Sequence, residues 1–289
     1  MFTGTYTALV TPFNRDGSVD YGKLRELVDW QVSSGVDGVV PVGTTGESPT
    51  LEYDEHHQVV EEVAKTAAGR VKVIAGTGGN STAEAVMLTR EALAQGVDGT
   101  LQVCPYYNKP NQEGLYRHFS VVADLGLPVV LYNIPGRSGR EIAVETVARL
   151  SRHGKIVAIK EAGGSVERVS AILDACDLTV LSGDDMLTLP MMSVGAQGVV
   201  SVASNIVPAM VVELVRAATR GDLAAAGCLH ARLYRLFRDL FIDTNPVPVK
   251  CALAMLGRIE EVYRLPLCET GDKVRGQVRQ TLRELQLID

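Results

Sequence analysis

The fold class is decided by residues 71–103, VKVIAGTGGNSTAEAVMLTREALAQGVDGTLQV. Two apolar runs, Val71–Ala75 and Val97–Val103, flank a segment in which apolar residues recur with helical spacing. Ser81 and Glu84 stand in the S-x-x-E order of a capping box and predict where that helix begins. A strand, a helix and a second strand in this order are typical of a parallel βαβ unit.

The same alternation recurs along the chain and favours a closed (β/α)8 TIM barrel, a fold of about 250 residues. From residue 222 the strand pattern stops and three helical stretches follow, which predicts a barrel over residues 1–221 and a C-terminal three-helix domain over residues 222–289. The eight predicted strands lie near Tyr6–Val10, Val36–Val42, Val71–Ala75, Val97–Val103, Pro128–Tyr132, Ile156–Lys160, Leu178–Ser182 and Gln197–Val202. A Rossmann sheet competes with this interpretation, but residues 76–81 lack the third glycine of the dinucleotide-binding motif.

The composition excludes several classes of protein. A net charge of −6 without a block of basic residues argues against nucleic-acid binding. The chain has neither an apolar run long enough to cross a membrane nor a cationic and apolar N-terminal signal, so we expect a cytoplasmic protein. The cysteines show no C-x-x-C spacing and the histidines no H-E-x-x-H spacing, so we expect no metal site.

Lys160 ends the sixth predicted strand, Ile156-Val-Ala-Ile-Lys160. Reactive groups of a TIM barrel lie at the C-terminal ends of its strands. Burial there disfavours the charged form of an amine, and a neutral amine is a nucleophile towards carbonyl groups. The alternative interpretation is structural, with Lys160 paired to Glu161 or to another carboxylate at the rim of the barrel.

Two kinds of loop at the same end of the barrel offer groups that bind anions or carry protons. The turn Gly43-Thr-Thr-Gly-Glu-Ser48 can present backbone N–H groups and hydroxyls to a carboxylate, although it could equally be a plain turn in which Ser48 or Thr50 caps the next helix. The loops at residues 105–110 and 132–139 supply tyrosines and Arg137, which could instead be rim packing and a solvated charge.

Five motifs occur together and in order: G-T-T-G-E-S at 43–48, P-Y-Y-N-K-P at 105–110, Y-N-I-P-G-R-S-G at 132–139, I-K-E-A at 159–162 and S-G-D-D at 182–185. With these motifs the chain resembles the dihydrodipicolinate synthase family. The resemblance implies a lyase that condenses pyruvate with L-aspartate 4-semialdehyde, through an imine on Lys160 and an enamine, in lysine and diaminopimelate biosynthesis. It implies no organic cofactor, no catalytic metal and a homotetramer built from tight dimers.

The resemblance also assigns site residues. It implies that Tyr132, Thr44 and Tyr107 relay protons for Lys160, with Tyr107 reaching in from a neighbouring subunit. It implies that Thr45 and Arg137 bind substrate, and that Gly183 and the backbone carbonyl of Val200 line the pocket. Some members of the family are inhibited by L-lysine, and the matching effector positions are Ser48, His56, Asn80, Glu84 and Tyr106. Tyr53 departs from the histidine that some inhibited members carry, and the capping box alone would account for Glu84.

Two other classes of function remain open from the sequence. N-acetylneuraminate lyase and the 2-keto-3-deoxy sugar-acid aldolases would keep Lys160 and Tyr132 and change the contacts to the second substrate. A barrel without catalytic activity that binds a 2-oxo acid as a regulator is the other alternative, and the intact set of lysine, threonine and tyrosine argues against it.

Overall fold

The chain forms a closed barrel of eight parallel strands surrounded by helices, which confirms the predicted TIM barrel. The computed structural model describes residues 2–289. The strands β1 to β8 span Gly4–Ala8, Gly38–Val40, Lys72–Gly76, Gly99–Val103, Val129–Asn133, Ile156–Glu161, Thr179–Ser182 and Gly198–Ser201. Each strand pairs with its neighbours in chain order, and β8 pairs with β1 to close the barrel.

The helices α1 to α12 span Tyr21–Ser33, Tyr53–Ala67, Thr82–Ala94, Gln112–Ala123, Pro135–Ser138, Val144–Leu150, Val166–Ala175, Thr188–Ser193, Pro208–Thr219, Leu223–Asp239, Val247–Met255 and Asp272–Glu284. Side chains accept backbone N–H bonds at several helix starts, as at α1, where Asp20 accepts from Lys23 N at 2.9 Å. No helix in this described part of the chain is both long and apolar enough to cross a membrane.

The barrel strands are buried on both faces, because their inner side chains fill the barrel and their outer ones pack beneath the helices. All five residues of β5 are buried, and so are five of the six residues of β6. This double burial explains why the strands appear in the sequence as continuous apolar runs rather than as alternating patterns.

The C-terminal helices pack directly on the barrel. Helix α10 lies against α9, and α11 contacts the short 3-10 turn Ala203–Asn205 that follows β8. Seven consecutive residues of α11, Val247–Leu253, are buried, and one of them is Lys250. The C-terminal region therefore reaches the barrel end at which the strands terminate.

Candidate active site

Lys160 lies at the C-terminal end of β6 with its amine in the mouth of the barrel. Its strand position is beside Tyr132 of β5 and Leu181 of β7. The residue is only 6% exposed, and Nζ lies 4.1 Å from the centroid of the Tyr132 ring. Lys160 takes part in no salt bridge within residues 2–289. The amine is thus enclosed, faces a phenol ring and is not held by a carboxylate.

Glu161 points away from Lys160, because successive side chains of a strand alternate between its faces. Its fully buried carboxylate accepts hydrogen bonds from Asn133 Nδ2 at 2.8 Å, from Gly163 N at 2.7 Å and from Arg168 Nε at 2.9 Å. The alternative in which Lys160 pairs with Glu161 is therefore wrong.

A small cavity above Lys160 brings together six of the eight catalytic and substrate-binding residues that the sequence singled out. Its volume is about 50 Å³, and it is lined by Thr44, Thr45, Tyr132, Arg137, Lys160 and Gly183, among others. An adjoining cavity of about 210 Å³ shares Thr44, Tyr132 and Arg137 with it. The two cavities together offer a nucleophilic amine, hydroxyl groups and a guanidinium to one bound molecule.

The turn that carries Thr44 and Thr45 is closed by a backbone hydrogen bond and is also contacted by Thr11. Gly46 N donates to Gly43 O at 3.0 Å, and Thr11 Oγ1 donates to Gly46 O at 2.7 Å. Helix α2 begins later, at Tyr53, and its N-cap residue Glu52 donates its backbone N–H to the Glu55 carboxylate at 3.0 Å in a capping box. The alternative in which Ser48 or Thr50 caps this helix is therefore wrong. The turn lines the cavity through Thr44 and Thr45.

Asn245 and Phe241, which follow α10, also line the Lys160 cavity. Asn245 Nδ2 donates to Thr45 Oγ1 at 3.0 Å, and its carbonyl oxygen accepts from Arg137 Nη2 at 3.1 Å. Sequence reasoning missed both residues. Their only local signal was the Asn-Pro pair at 245–246, which indicates a turn without saying what the turn faces.

Gly183 and Val200 occupy different positions relative to the cavity. Gly183 lines it, and its missing side chain leaves room for the Lys160 methylenes. Val200 is buried within β8, and the cavity is lined instead by Val202, two residues further along the chain. The side chain of Val200 is thus outside the set that the geometry brings together.

Asp185, from the S-G-D-D motif, is a buried carboxylate that the sequence analysis did not assign. It accepts hydrogen bonds from Ser201 Oγ at 2.5 Å and from the backbone N–H groups of Val202 and Ala203, both at 2.9 Å. Burial raises the pKa of Asp185 to about 6, against the lowering effect of these hydrogen bonds. Its contacts fix the chain where β8 leaves the barrel beside the cavity.

Tyr107 lies outside the cavity of its own chain. The residue is 90% exposed and has a positive φ of 71°, in the loop between β4 and α4. Its neighbour Tyr106 does line the cavity of about 210 Å³. A single chain therefore leaves the Tyr107 phenol in solvent, and its predicted contribution to a neighbouring subunit stays a prediction.

A separate cavity of about 340 Å³ gathers four of the five predicted effector residues, Ser48, His56, Glu84 and Tyr106, together with Tyr53. It shares Ser48 and Tyr106 with the cavity of about 210 Å³ that adjoins the Lys160 cavity. Asn80 is not among the lining residues, and its carbonyl oxygen accepts from Asn108 Nδ2 at 2.8 Å.

The predicted capping box at α3 is only half formed. Ser81 Oγ accepts from Glu84 N at 3.5 Å, but the Glu84 carboxylate accepts from Tyr53 OH at 3.2 Å. Capping therefore does not account for the Glu84 carboxylate, which faces the cavity. His56 Nε2 lies 3.0 Å from Gly76 O, and burial lowers the pKa of His56, which favours a neutral ring that donates to this carbonyl.

Within the described residues 2–289, no three His, Cys, Asp or Glu side chains come close enough together to hold a metal ion. The chemistry available at the Lys160 cavity is that of a primary amine with hydroxyl groups and a guanidinium around it. Such a set can form an imine with the carbonyl group of an anionic substrate.

Comparison with known proteins agrees with this chemistry. Residues 1–285 match the family model described as the dihydrodipicolinate synthetase family. The chain is 52% identical to 4-hydroxy-tetrahydrodipicolinate synthase from Pelobacter propionicus, over 100% of both chains. It superimposes with a TM-score of 0.98 on the chloride-inhibited dihydrodipicolinate synthase from Acinetobacter baumannii complexed with pyruvate, at 42% identity and 100% coverage of both chains. It superimposes with a TM-score of 0.96 on the Cyanidioschyzon merolae enzyme with lysine bound, at 41% identity and 99% coverage of both chains.

Proposed function

The chain belongs to the dihydrodipicolinate synthetase family, and from that premise we propose how its barrel mouth condenses pyruvate with L-aspartate 4-semialdehyde to 4-hydroxy-tetrahydrodipicolinate. The observation that carries the proposal is the Lys160 amine, which is enclosed, forms no salt bridge with a described residue and shares one cavity with Thr44, Thr45, Tyr132 and Arg137. The related sugar-acid lyases and a silent 2-oxo acid binder are not favoured, because the full-length relatives carry the name of the synthase.

Lys160 Nζ attacks the C2 carbonyl of pyruvate, and loss of water leaves an iminium ion. The iminium withdraws electrons from the adjacent methyl group, which releases a proton to give an enamine. The enamine carbon then attacks the aldehyde carbon of the second substrate and forms the new C–C bond. Attack of the second substrate's amine on the iminium carbon closes the ring and releases the Lys160 amine.

Proton transfer in these steps is assigned to Tyr132, Thr44 and Tyr107. Lys160 Nζ lies 4.1 Å from the centroid of the Tyr132 ring, and Thr44 lines both parts of the cavity with Tyr132. A phenol beside a hydroxyl can pass a proton to the hydroxyl group that leaves as water and to the new alkoxide. Tyr107 completes the relay from a neighbouring subunit, for which its 90% exposure leaves it available.

The two substrate carboxylates are assigned to different cationic or N–H-bearing groups. The turn at Thr45 receives the carboxylate of pyruvate, beside Lys160, and Gly183 keeps the floor of the site open. Arg137 receives the carboxylate of the semialdehyde, because its guanidinium lines the cavity and forms no salt bridge with any described residue. The backbone carbonyl of Val200 is assigned to the lining of the pocket, and Val202 provides a lining side chain.

The site is complete only when subunits assemble, because Tyr107 does not reach the cavity of its own chain. We propose a homotetramer made of two tight dimers that exchange Tyr107, acting in the cytoplasm. Sedimentation velocity gives the assembly directly, and a monomer with full activity would contradict the exchange.

L-lysine is the second ligand proposed, as a feedback inhibitor in the cavity of about 340 Å³. The Glu84 carboxylate faces this cavity together with the half-buried Ser48 and the exposed Tyr106, and can accept hydrogen bonds from an ammonium group. Calorimetric titration with L-lysine tests the proposal, with Glu84→Gln as the variant that should weaken binding. Equal affinity of the two proteins would remove Glu84 from the site.

Reduction with borohydride in the presence of pyruvate tests the central step. One pyruvate adduct on Lys160 is expected by mass spectrometry, and none in Lys160→Ala. A coupled assay with pyruvate and aspartate semialdehyde then tests the second substrate. Turnover with sugar acids alone, or absence of the adduct in the native protein, would refute the proposed function.

A further inference from the structure

The turn that carries Thr44 and Thr45 is bounded by two residues in the left-handed region of backbone space. Val42 has a φ of 50° and Glu47 a φ of 55°, and neither is glycine. For a β-branched residue such as Val42 this conformation is a genuine outlier. Conformations of this kind persist only where the surrounding structure holds them. The turn therefore needs an anchor outside itself.

The Glu47 side chain, at the end of the turn, is held by such an anchor from the C-terminal region. Glu47 is 1% exposed, and its Oε1 forms a hydrogen-bonded ion pair with Nζ of the fully buried Lys250 on α11. The other carboxylate oxygen accepts from Arg264 N at 3.3 Å. Two groups from the last 40 residues of the chain thus fix the end of a turn that begins at residue 43.

Water is excluded from this ion pair by aromatic rings. Lys250 Nζ lies 4.2 Å from the centroid of the Phe13 ring and 5.3 Å from that of Tyr263. Burial lowers the pKa of Lys250, and the Glu47 carboxylate opposes that effect. An ion pair enclosed in this way keeps one geometry, because water cannot take the place of either partner.

The segment that ends at Lys250 contacts the turn at a second point. Asn245, five residues before Lys250, donates from Nδ2 to Thr45 Oγ1 at 3.0 Å. Residues 245–250 therefore contact the turn at Thr45 and again at Glu47, on either side of Gly46. The first contact is with the Thr45 hydroxyl, and the second is with Glu47, two residues later in the same turn. Thr44 and Thr45 of this turn line the cavity beside Lys160.

Stability alone is a poor explanation for such a pair. The cost of taking two charges out of water offsets most of their attraction, and apolar residues of similar volume often serve as well. What the ion pair adds over apolar packing is a fixed geometry. Resting on the proposed function, we propose that Lys250 is a positioning residue of the reaction, which acts through Glu47 to hold the Thr44–Thr45 turn against Lys160.

Three full-length variants test the proposal. Lys250→Met leaves the buried Glu47 carboxylate without its charged partner, and Glu47→Gln with Lys250→Met removes both charges and restores neutrality. Arg235→Met is the matched control, because it removes an exposed ion pair with Glu284 in the same C-terminal region. For each protein the melting temperature and the single-turnover rate of the pyruvate adduct, trapped by borohydride, are measured.

A positioning role and a purely structural role predict different results for the double variant. The single variant should melt at a lower temperature, whereas the double variant should recover stability and still form the adduct more slowly, on the order of 10²-fold. The double variant also serves if the single one does not fold. Recovery of both stability and the wild-type adduct rate would overturn the proposal, as would an equal loss of rate in Arg235→Met. Absence of any adduct in the wild-type protein would refute the proposed function itself.

Discussion

Gly183→Ala is the substitution whose effect on the proposed nucleophile follows most directly from the geometry. A Cβ atom at position 183 would lie 3.0 Å from Lys160 Cε, 3.1 Å from Lys160 Cγ and 2.7 Å from Ala162 Cβ. Favourable carbon contacts lie at about 3.5–4.0 Å. The Lys160 side chain or the strand end beneath it must therefore move by several tenths of an ångström to about 1 Å.

The expected magnitudes follow from this displacement. Overpacking a closed site typically costs about 1–3 kcal/mol of folding free energy, so the melting temperature should fall by a few degrees. Displacement of a reacting group by about 1 Å can cost on the order of 10²-fold in rate. Because Lys160 is only 6% exposed, its chain has little free space into which it could retreat.

The assay compares kcat/KM for pyruvate and the rate of borohydride-trapped adduct between the wild type and Gly183→Ala. Gly276→Ala is the matched control, since a Cβ there meets no atom within 4 Å. Alanine inside helix α12 should stabilise the protein by about 0.5–1 kcal/mol and leave the kinetics unchanged. A wild-type adduct rate in Gly183→Ala would refute the reasoning, because it would mean that the amine needs no defined position.

Three further outcomes are expected. Arg137→Ala should lower kcat/KM for the semialdehyde by the factor that corresponds to about 1.5–3 kcal/mol, the free energy of a lost charge-assisted hydrogen bond. It should lower kcat/KM for pyruvate less, and equal losses would contradict its assigned role. Tyr107→Phe should slow turnover while the sedimentation coefficient stays that of the native assembly, and unchanged turnover would remove Tyr107 from the mechanism. Burial lowers the pKa of His118 from 6.5 to about 4, so the native ring stays neutral where the unfolded one binds a proton. Stability should therefore decrease as the pH falls through that window, by about 3 kcal/mol at most, and urea unfolding of His118→Gln should show a smaller decrease.

The barrel and the position of Lys160 could be predicted because both depend on neighbours in sequence. Apolar runs of strand length between helical segments specify the parallel sheet, and a lysine that ends such a run must stand at the barrel mouth. The position of Lys160 at the end of β6 confirms that inference. The sequence analysis did not predict that Glu161 pairs with Arg168. The alternation of side chains along a strand does place Glu161 and Lys160 on opposite faces.

The effector cavity shows where a local pattern misled. The S-x-x-E order at Ser81 predicts a complete capping box, yet the Glu84 carboxylate turns to Tyr53, 31 residues earlier in the chain. A local hydrogen bond and a tertiary one compete for the same oxygen atoms. Sequence spacing describes only the first of these competitors.

Local order along the chain determined the fold class and the position of Lys160 near the end of a strand, because backbone sterics and hydrogen bonding act between neighbours. Only the tertiary structure decided that Lys250 meets Glu47 across 203 residues and that Asn245 meets Thr45 across 200. Those contacts exist because closing the barrel brings its second loop beside a helix near the end of the chain. No periodicity records such a meeting, since each partner satisfies its own local pattern equally well without the other.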